Sequence, residues 1–248
     1  MQVFGVDVGG SGVKGAPVDL TTGTVIGERT RIPTPKPSTP DAVVEAIVEI
    51  VQTHEWSGPI GVTVPSVVIN GVVQTAANID PGWINCDAAA LIAGRLGQPV
   101  TVLNDADAAG LAEVTYGAAK GEPGVVLLLT FGTGIGSAYL YRGQLIPNTE
   151  LGHLIFKDQK AEHYAAGRLV KRGDLSVDWW AQRVDELLEY IDDLFWPDLF
   201  VFGGGISKRF EDYSHLLSTR APIVPATLRN QAGIVGAALA AARADADA

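Results

Sequence analysis

Apolar residues alternate with small or polar ones through "QVFGVDVGG" and again through "VKGAPVDL". This period of two predicts strands near 2–8 and 13–19, joined by a Gly-rich reversal. A further strand is predicted near 25–32. Beyond residue 40 the spacing lengthens: Val43, Ile47, Ile50 and Val51 recur at helical intervals, so a helix is predicted near 40–54, introduced by Ser38 or Thr39. The proline-rich "IPTPKPSTP" before it reads as a surface loop. "IGVTVPSVVINGVV" continues as strand and turn. The second half repeats the pattern, with strands near 124–131 and 135–142, a long helix near 176–195, a strand near 198–202 and a small-residue helix near 230–243. In the long helix Trp180, Val184, Leu187, Leu188, Ile191 and Leu194 share one face, and Trp179 and Trp180 read as core or a dimer contact.

The halves resemble each other. "GVDVGGSGVKGAPV" and "LLTFGTGIGSAYLY" are both strand, Gly-rich turn and strand, with Gly9 and Gly132 in like positions. An internal duplication giving two similar lobes that face a cleft is the economical explanation. Residues 1–107 are expected to form an N-terminal α/β lobe, with the helix at 230–243 packing back on it. Residues 108–248 are expected to form a C-terminal α/β lobe.

Composition narrows the function. A chain of 248 residues, 47% hydrophobic and 19% charged, can bury one large core or two modest ones. It contains no 18-residue apolar run and opens directly on a strand pattern, so a soluble cytoplasmic protein is expected. The single cysteine, Cys86, excludes an intramolecular disulfide and a cysteine-rich zinc site. A formal charge of −10 argues against nucleic-acid binding, which needs many cationic contacts. The richest basic run, "KDQKAEHYAAGRLVKR" at 157–172, is ordinarily a solvated helix face; the alternative is a guide for a polyanion.

"GSGVKG", Gly10 to Gly15, formally satisfies the dinucleotide fingerprint, but that motif must open a helix and here a strand follows. A Walker loop fails because Lys14 is followed by Gly15. What remains is a hairpin turn exposing backbone N–H groups, with Asp7, Ser11 and Lys14 beside it, able to cradle phosphate without a helix. The turn at 130–137 offers the same backbone with the Thr130 and Thr133 hydroxyls. One such hairpin is ordinary turn chemistry; two, one per half, point to a phosphate clamp.

In "TVLNDADAAGLAE" an apolar run breaks into Asn104, Asp105 and Asp107. Either aspartate can start a helix, and the end of a strand in an α/β fold is also where ligand groups sit. Positions i and i+2 of a helix diverge, so the two cannot face one ligand. Asp105, beside Asn104, is the candidate base, and Asp107 is left to start the helix.

"DVGGSGVKG", "NDADAAG", "TFGTGIGSA" and "TELGH", in that order, resemble sugar kinases of the ROK family, within the actin-like ATPase (ribonuclease H-like) superfamily. "GAPVDLTTG", "TAANID", "IPNTELGH", "WPDLFVFGGGIS" and "PATLRNQAGIVGAAL" resemble its polyphosphate-using glucokinase branch, and the resemblance covers nearly the whole chain. It implies a usually dimeric kinase that phosphorylates the 6-hydroxyl of glucose from polyphosphate, ATP or both. Asp105 is then the general base, and Asn78, Asn104, Asp105, Glu150, His153 and Glu162 surround the sugar. Asp7, Gly9, Gly10, Ser11, Gly12 and Lys14 form the first phosphate loop; Thr130, Thr133, Gly134 and Gly136 form the second. Gly203, Gly204 and Gly205 lie by a nucleoside, and Asp7 holds Mg²⁺ through water.

Such chemistry needs little more than a placed carboxylate and a polar sugar cage, because positioning dominates phosphoryl transfer. Glu150 and His153 at i and i+3 present an acceptor and a donor from one turn, although a lone histidine is often structural. Many family members follow this turn with zinc-binding cysteines. This chain has none there, so zinc is not expected, and a helix across 160–172 carrying Glu162 inward is the expected substitute. The alternatives are a strictly ATP-dependent hexose kinase for glucose, mannose or a related sugar, and a sugar-sensing regulator. Against the latter, the phosphate-loop strand is predicted from the first residues of this sequence, so a DNA-binding module before it is not expected. An actin-like filament protein has no use for a sugar cage.

Overall fold

A computed structural model describes residues 1–77 and 79–246. The chain divides into two units, residues 1–112 with 231–248, and residues 113–230. The division therefore falls five residues later than the expected lobe boundary, and the C-terminal helix belongs with the first unit.

In the first unit the opening alternation forms β1 (Gln2–Gly9) and β2 (Gly12–Asp19), an antiparallel pair in which Gly9 faces Gly12 across the turn. The strand expected near 25–32 is interrupted and forms two pieces, β3 (Thr24–Val25) and β4 (Thr30–Ile32), both pairing with β2. Gly27, with φ +69°, turns the chain between them. Helix α1 (Pro40–Thr53) is capped by Thr39, whose hydroxyl accepts from the Ala42 N–H at 3.4 Å. Ser38, the other candidate, instead accepts from the Asp80 N–H through its side chain and from the Trp83 indole N–H through its carbonyl. Val43, Val44, Ile47, Ile50 and Val51 of α1 are buried, the stripe predicted by the spacing.

Next come β5 (Ile60–Val64), the small hairpin β6 (Val68–Ile69) and β7 (Val72–Val73), α2 (Ala88–Leu96), β8 (Val100–Asn104) and α3 (Asp105–Tyr116). The main sheet runs β3-β2-β1-β5-β8, with β1, β5 and β8 parallel.

The second unit repeats this order. Strands β9 (Val125–Phe131), β10 (Ile135–Tyr141) and β11 (Gln144–Ile146) form an antiparallel set. A short hairpin, β12 (Ile155–Phe156) and β13 (Gln159–Lys160), leads to α4 (Ala161–Ala165), α5 (Arg168–Lys171) and α6 (Val177–Phe195). After β14 (Leu199–Gly203), α7 (Phe210–Tyr213) and β15 (Ile223–Pro225) the sheet reads β11-β10-β9-β14-β15, with β9, β14 and β15 parallel. Two sheets with three antiparallel strands followed by two parallel ones are the structural signature of the duplication and of the actin-like fold.

Two expectations change in this unit. The helix across 160–172 is broken into α4 and α5, because Ala166 is extended (ψ 148°) and Gly167 lies against β9, where a Cβ would stand 2.7 Å from the Phe131 carbonyl oxygen. On α6, capped by Ser176, the face from Trp180 to Ile191 is buried as predicted, but Leu194 is exposed near the helix end and Trp179 is 64% exposed.

Helix α8 (Ala232–Ala246) returns to the first unit. It packs backbone against backbone: a Cβ on Gly5 of β1 would lie 2.0 Å from the Ile234 carbonyl oxygen, and one on Gly61 of β5 would lie 1.8 Å from that of Ala237. Glycines in the two strands thus seat the helix. Among the described residues no helix is long and apolar enough to cross a membrane.

Candidate active site

The first Gly-rich hairpin is built by register. Asp7 of β1 faces Lys14 of β2, and the Lys14 ammonium donates to the Asp7 carboxylate at 3.0 Å. The other Asp7 oxygen accepts from the Thr63 hydroxyl at 3.1 Å. Gly233, in the first turn of α8, comes so near that a Cβ would stand 2.9 Å from Asp7 Oδ1. The turn itself, Gly10 and Ser11, is exposed, and Gly12 is buried. Thr34 hydrogen-bonds the Gly9 carbonyl, so the proline-rich loop is tied to the hairpin. Together they line a cavity of about 270 Å³ whose walls include Gly9, Gly10, Lys36, Ser38, Pro65 and Asp80. Asn78 lies outside the described residues.

The Asn104 side chain decides where α3 begins. Its oxygen accepts from the backbone N–H groups of Ala106 at 2.8 Å and Asp107 at 3.1 Å, and its amide donates to the Ser66 carbonyl at 3.1 Å. Asn104 is therefore the N-cap of α3, and the helix begins at Asp105 rather than Asp107. This corrects the expected starting role of Asp107, which is 1% exposed in the core. Asp105 occupies the first helical position, half-buried, with one carboxylate oxygen accepting from the Ala106 N–H at 2.9 Å.

In the second unit Thr130 faces Gly136 and the turn closes through the Gly132 N–H on the Gly134 carbonyl at 3.0 Å. Gly203 pairs with Thr130 across β14 and β9, and a Cβ on Gly204 (φ +82°) would be 2.6 Å from the Phe131 carbonyl oxygen. The Gly203–Gly205 run thus stands beside the second Gly-rich hairpin.

The turn at 150–153 rests on the same hairpin. The Ser137 hydroxyl donates to the Thr149 carbonyl at 2.6 Å and accepts from the Leu151 N–H at 3.0 Å, and a Cβ on Gly152 would lie 2.1 Å from the Ile135 carbonyl oxygen. His153 stands between two carboxylates: Nδ1 is 3.7 Å from Glu150 and Nε2 is 3.9 Å from Glu162. These separations are too long for direct hydrogen bonds. They suit groups that share a polar ligand. Glu162 is only 13% exposed. Burial raises the Glu150 carboxyl above its ordinary pKa; His153 works against the shift and Glu162 adds to it. The support sought for Glu162 is a packed one: α4 is held by the Trp180 indole N–H donating to the Ala165 carbonyl at 2.8 Å and by Arg183 on the Tyr164 carbonyl.

Three groups escaped the sequence reading. Glu113 is buried and accepts from Ala118 N–H at 2.7 Å, Leu228 N–H at 2.8 Å and Thr227, tying the end of α3 to the "PATLRN" segment; only tertiary contact reveals it. Arg31 donates to the Ser11 carbonyl at 2.6 Å, and Arg168 hydrogen-bonds the Thr133 carbonyl. Arg31 lies 20 residues from Ser11 and Arg168 35 residues from Thr133 along the chain, so neither contact is marked in the sequence, although Arg168 falls within the basic 157–172 run.

Comparison with known proteins identifies the family of the chain. The ROK family model matches residues 3–168. The chain is 55% identical over 238 residues to a polyphosphate glucokinase of Mycobacterium tuberculosis (strain CDC 1551 / Oshkosh), covering 96% of this chain and 90% of that one. Its fold is similar to the crystal structure of an inorganic polyphosphate/ATP-glucomannokinase from Arthrobacter sp. strain KM, with a TM-score of 0.94 and 48% identity over 98% of this chain and 99% of that chain. It is also similar to a ROK family glucokinase from Streptomyces griseus in complex with glucose and AMPPNP, with a TM-score of 0.83 and 25% identity over 98% of this chain and all of that one. The chain belongs to the ROK family.

Proposed function

We propose that the protein is a glucokinase that transfers a phosphoryl group from inorganic polyphosphate, and also from ATP, to the 6-hydroxyl of glucose. The observation that carries the reading is the fixing of Asp105 at the first turn of α3 by the Asn104 cap. A carboxylate so held is positioned to accept the hydroxyl proton as the oxygen attacks phosphorus. A strong base is not needed there, because in a loose transition state the proton moves late and positioning dominates. The likeness to polyphosphate glucokinases over 96% of the chain supports the donor and the acceptor.

Glu150, His153 and Glu162 supply the sugar's polar contacts, with the carboxylates accepting from hydroxyls and the imidazole oriented between them. Asn104 acts through Asp105: its amide oxygen already takes two N–H groups, so it positions the base more than it touches the sugar. Asn78 belongs to the same cage by sequence. The hairpin N–H groups with Ser11, Lys14, Thr130 and Thr133 hold the donor phosphates, and Gly203–Gly205 leave room for a nucleoside. Asp7 fits a water-mediated Mg²⁺: its oxygens each carry one hydrogen bond and keep acceptor capacity. No cluster of three His, Cys, Asp or Glu suited to a metal exists among the described residues, so the ion would rely on donor phosphates and water, as Mg²⁺ commonly does. When bound, it neutralises charge on the transferring phosphate.

The same reading places the protein in the cytoplasm as a homodimer, for which the exposed Trp179, Tyr190 and Leu194 of α6 are the apolar surface to be covered; sedimentation of the pure protein distinguishes one copy from two. The donor is tested by a coupled glucose 6-phosphate assay with polyphosphate and ATP supplied separately. Activity with both is expected, and activity with ATP alone would reject the polyphosphate part.

A further inference from the structure

We propose that Arg31 and Arg168, one in each unit, are donor-binding residues, each binding donor phosphate at the Gly-rich turn of its own unit. The inference rests on the polyphosphate reading above and adds to it the residues that make a bare phosphate chain a good donor.

A tight turn is an ambivalent phosphate site. Its N–H groups attract an anion, while its carbonyl oxygens repel one. In the first unit the exposed Arg31 answers this: its Nη2 donates to the Ser11 carbonyl at the tip of the turn, 2.6 Å away. The guanidinium lies over Gly12, where a Cβ would stand 2.8 Å from Nε and 3.0 Å from Cζ. Gly12, read in the sequence as a loop glycine, is therefore also the seat of this arginine. Register puts Arg31 opposite Lys14, which is opposite Asp7, so the three form one row across β4, β2 and β1. Lys14 is engaged by Asp7; none of the described acidic side chains forms an ion pair with Arg31 within 4.0 Å.

The second unit repeats the device on unrelated sequence. Arg168 bonds the Thr133 carbonyl through its guanidinium and the Gly132 carbonyl through its own N–H, 2.9 Å away. Gly167 permits the approach, since a Cβ there would meet Phe131 oxygen at 2.7 Å. In a chain of net charge −10, a guanidinium on each phosphate turn converts a repelling carbonyl into a cationic edge with N–H donors to spare, matched to phosphate oxygens.

The consequence is unequal for the two donors. A nucleotide has its nucleoside as a second anchor, whereas polyphosphate is held by charge and hydrogen bonds alone. Arg31→Ala and Arg168→Ala are each expected to raise the KM for polyphosphate about 10-fold, the scale of one charge-assisted contact. The KM for ATP should rise by less, about 3-fold, and the KM for glucose should stay within about 2-fold. Gly12→Ala, which keeps the charge but displaces the guanidinium, should reproduce the Arg31→Ala effect, and equal thermal midpoints would exclude misfolding as its cause. A polyphosphate KM unchanged in both arginine variants, or a rise in glucose KM equal to that of the donor, overturns the proposal. Absence of polyphosphate activity in the unaltered protein would instead overturn the donor reading on which it rests.

Discussion

At the scale of the residue, Glu150 carries the most direct consequence. Burial raises its pKa, and ionised Glu150 is the form that accepts from a sugar hydroxyl. As pH falls, the KM for glucose should therefore rise at a pH above that at which an ordinary exposed carboxylate would protonate. The sign for stability is opposite. The folded state binds this proton more tightly than the unfolded chain, so the group's contribution improves as pH falls and is lost as pH rises through the folded pKa. Glu150→Gln should abolish this part of the pH dependence of KM and weaken glucose binding, yet melt no lower than the parent at neutral pH. A KM profile identical in parent and variant would remove Glu150 from the sugar cage. Its candidacy was legible in the sequence because Glu150 and His153 share one short turn. The placement of Glu162 3.9 Å from His153 required the structure, as did the capping by Asn104, since three polar residues within four positions leave several ways to begin a helix.

At the scale of the element, periodicity identified what periodicity controls. α1 and α6 have one buried face each, and their helical spacing marks it; β1 and β2 are covered on both faces, and their alternation marks only the side with the larger side chains. The break between α4 and α5 has another origin: Gly167 must approach the Phe131 carbonyl, a contact made across the unit. The seating of α8 is equally hidden, because Gly5 and Gly61 look like ordinary small residues in apolar strands. They are the positions where strand and helix backbones touch. Gly61→Ala should force β5 and α8 apart and lower stability by roughly 3 kcal/mol, an overpacking cost at the upper end of the usual range, measured by urea unfolding. A loss below about 0.5 kcal/mol, the scale of an ordinary surface change, would show that α8 does not need that close approach.

At the scale of the whole molecule, the duplication was visible as two Gly-rich hairpins, and the two sheets share one strand order. Repetition of order explains why each unit carries a Gly-rich turn, while other groups differ between the units: an aspartate at an Asn-capped helix start in the first, a carboxylate–imidazole cluster in the second. Net charge argued against nucleic acid as a partner but did not reveal Arg31 and Arg168, since bulk charge averages over the local cations that matter. The central claim is that Asp105 is the base for transfer to glucose. Its most direct test is the turnover of Asp105→Asn with polyphosphate and glucose, with glucose binding measured separately by calorimetry. The account predicts a kcat lower by about 10² to 10⁴ with glucose still bound; turnover equal to that of the parent would contradict it.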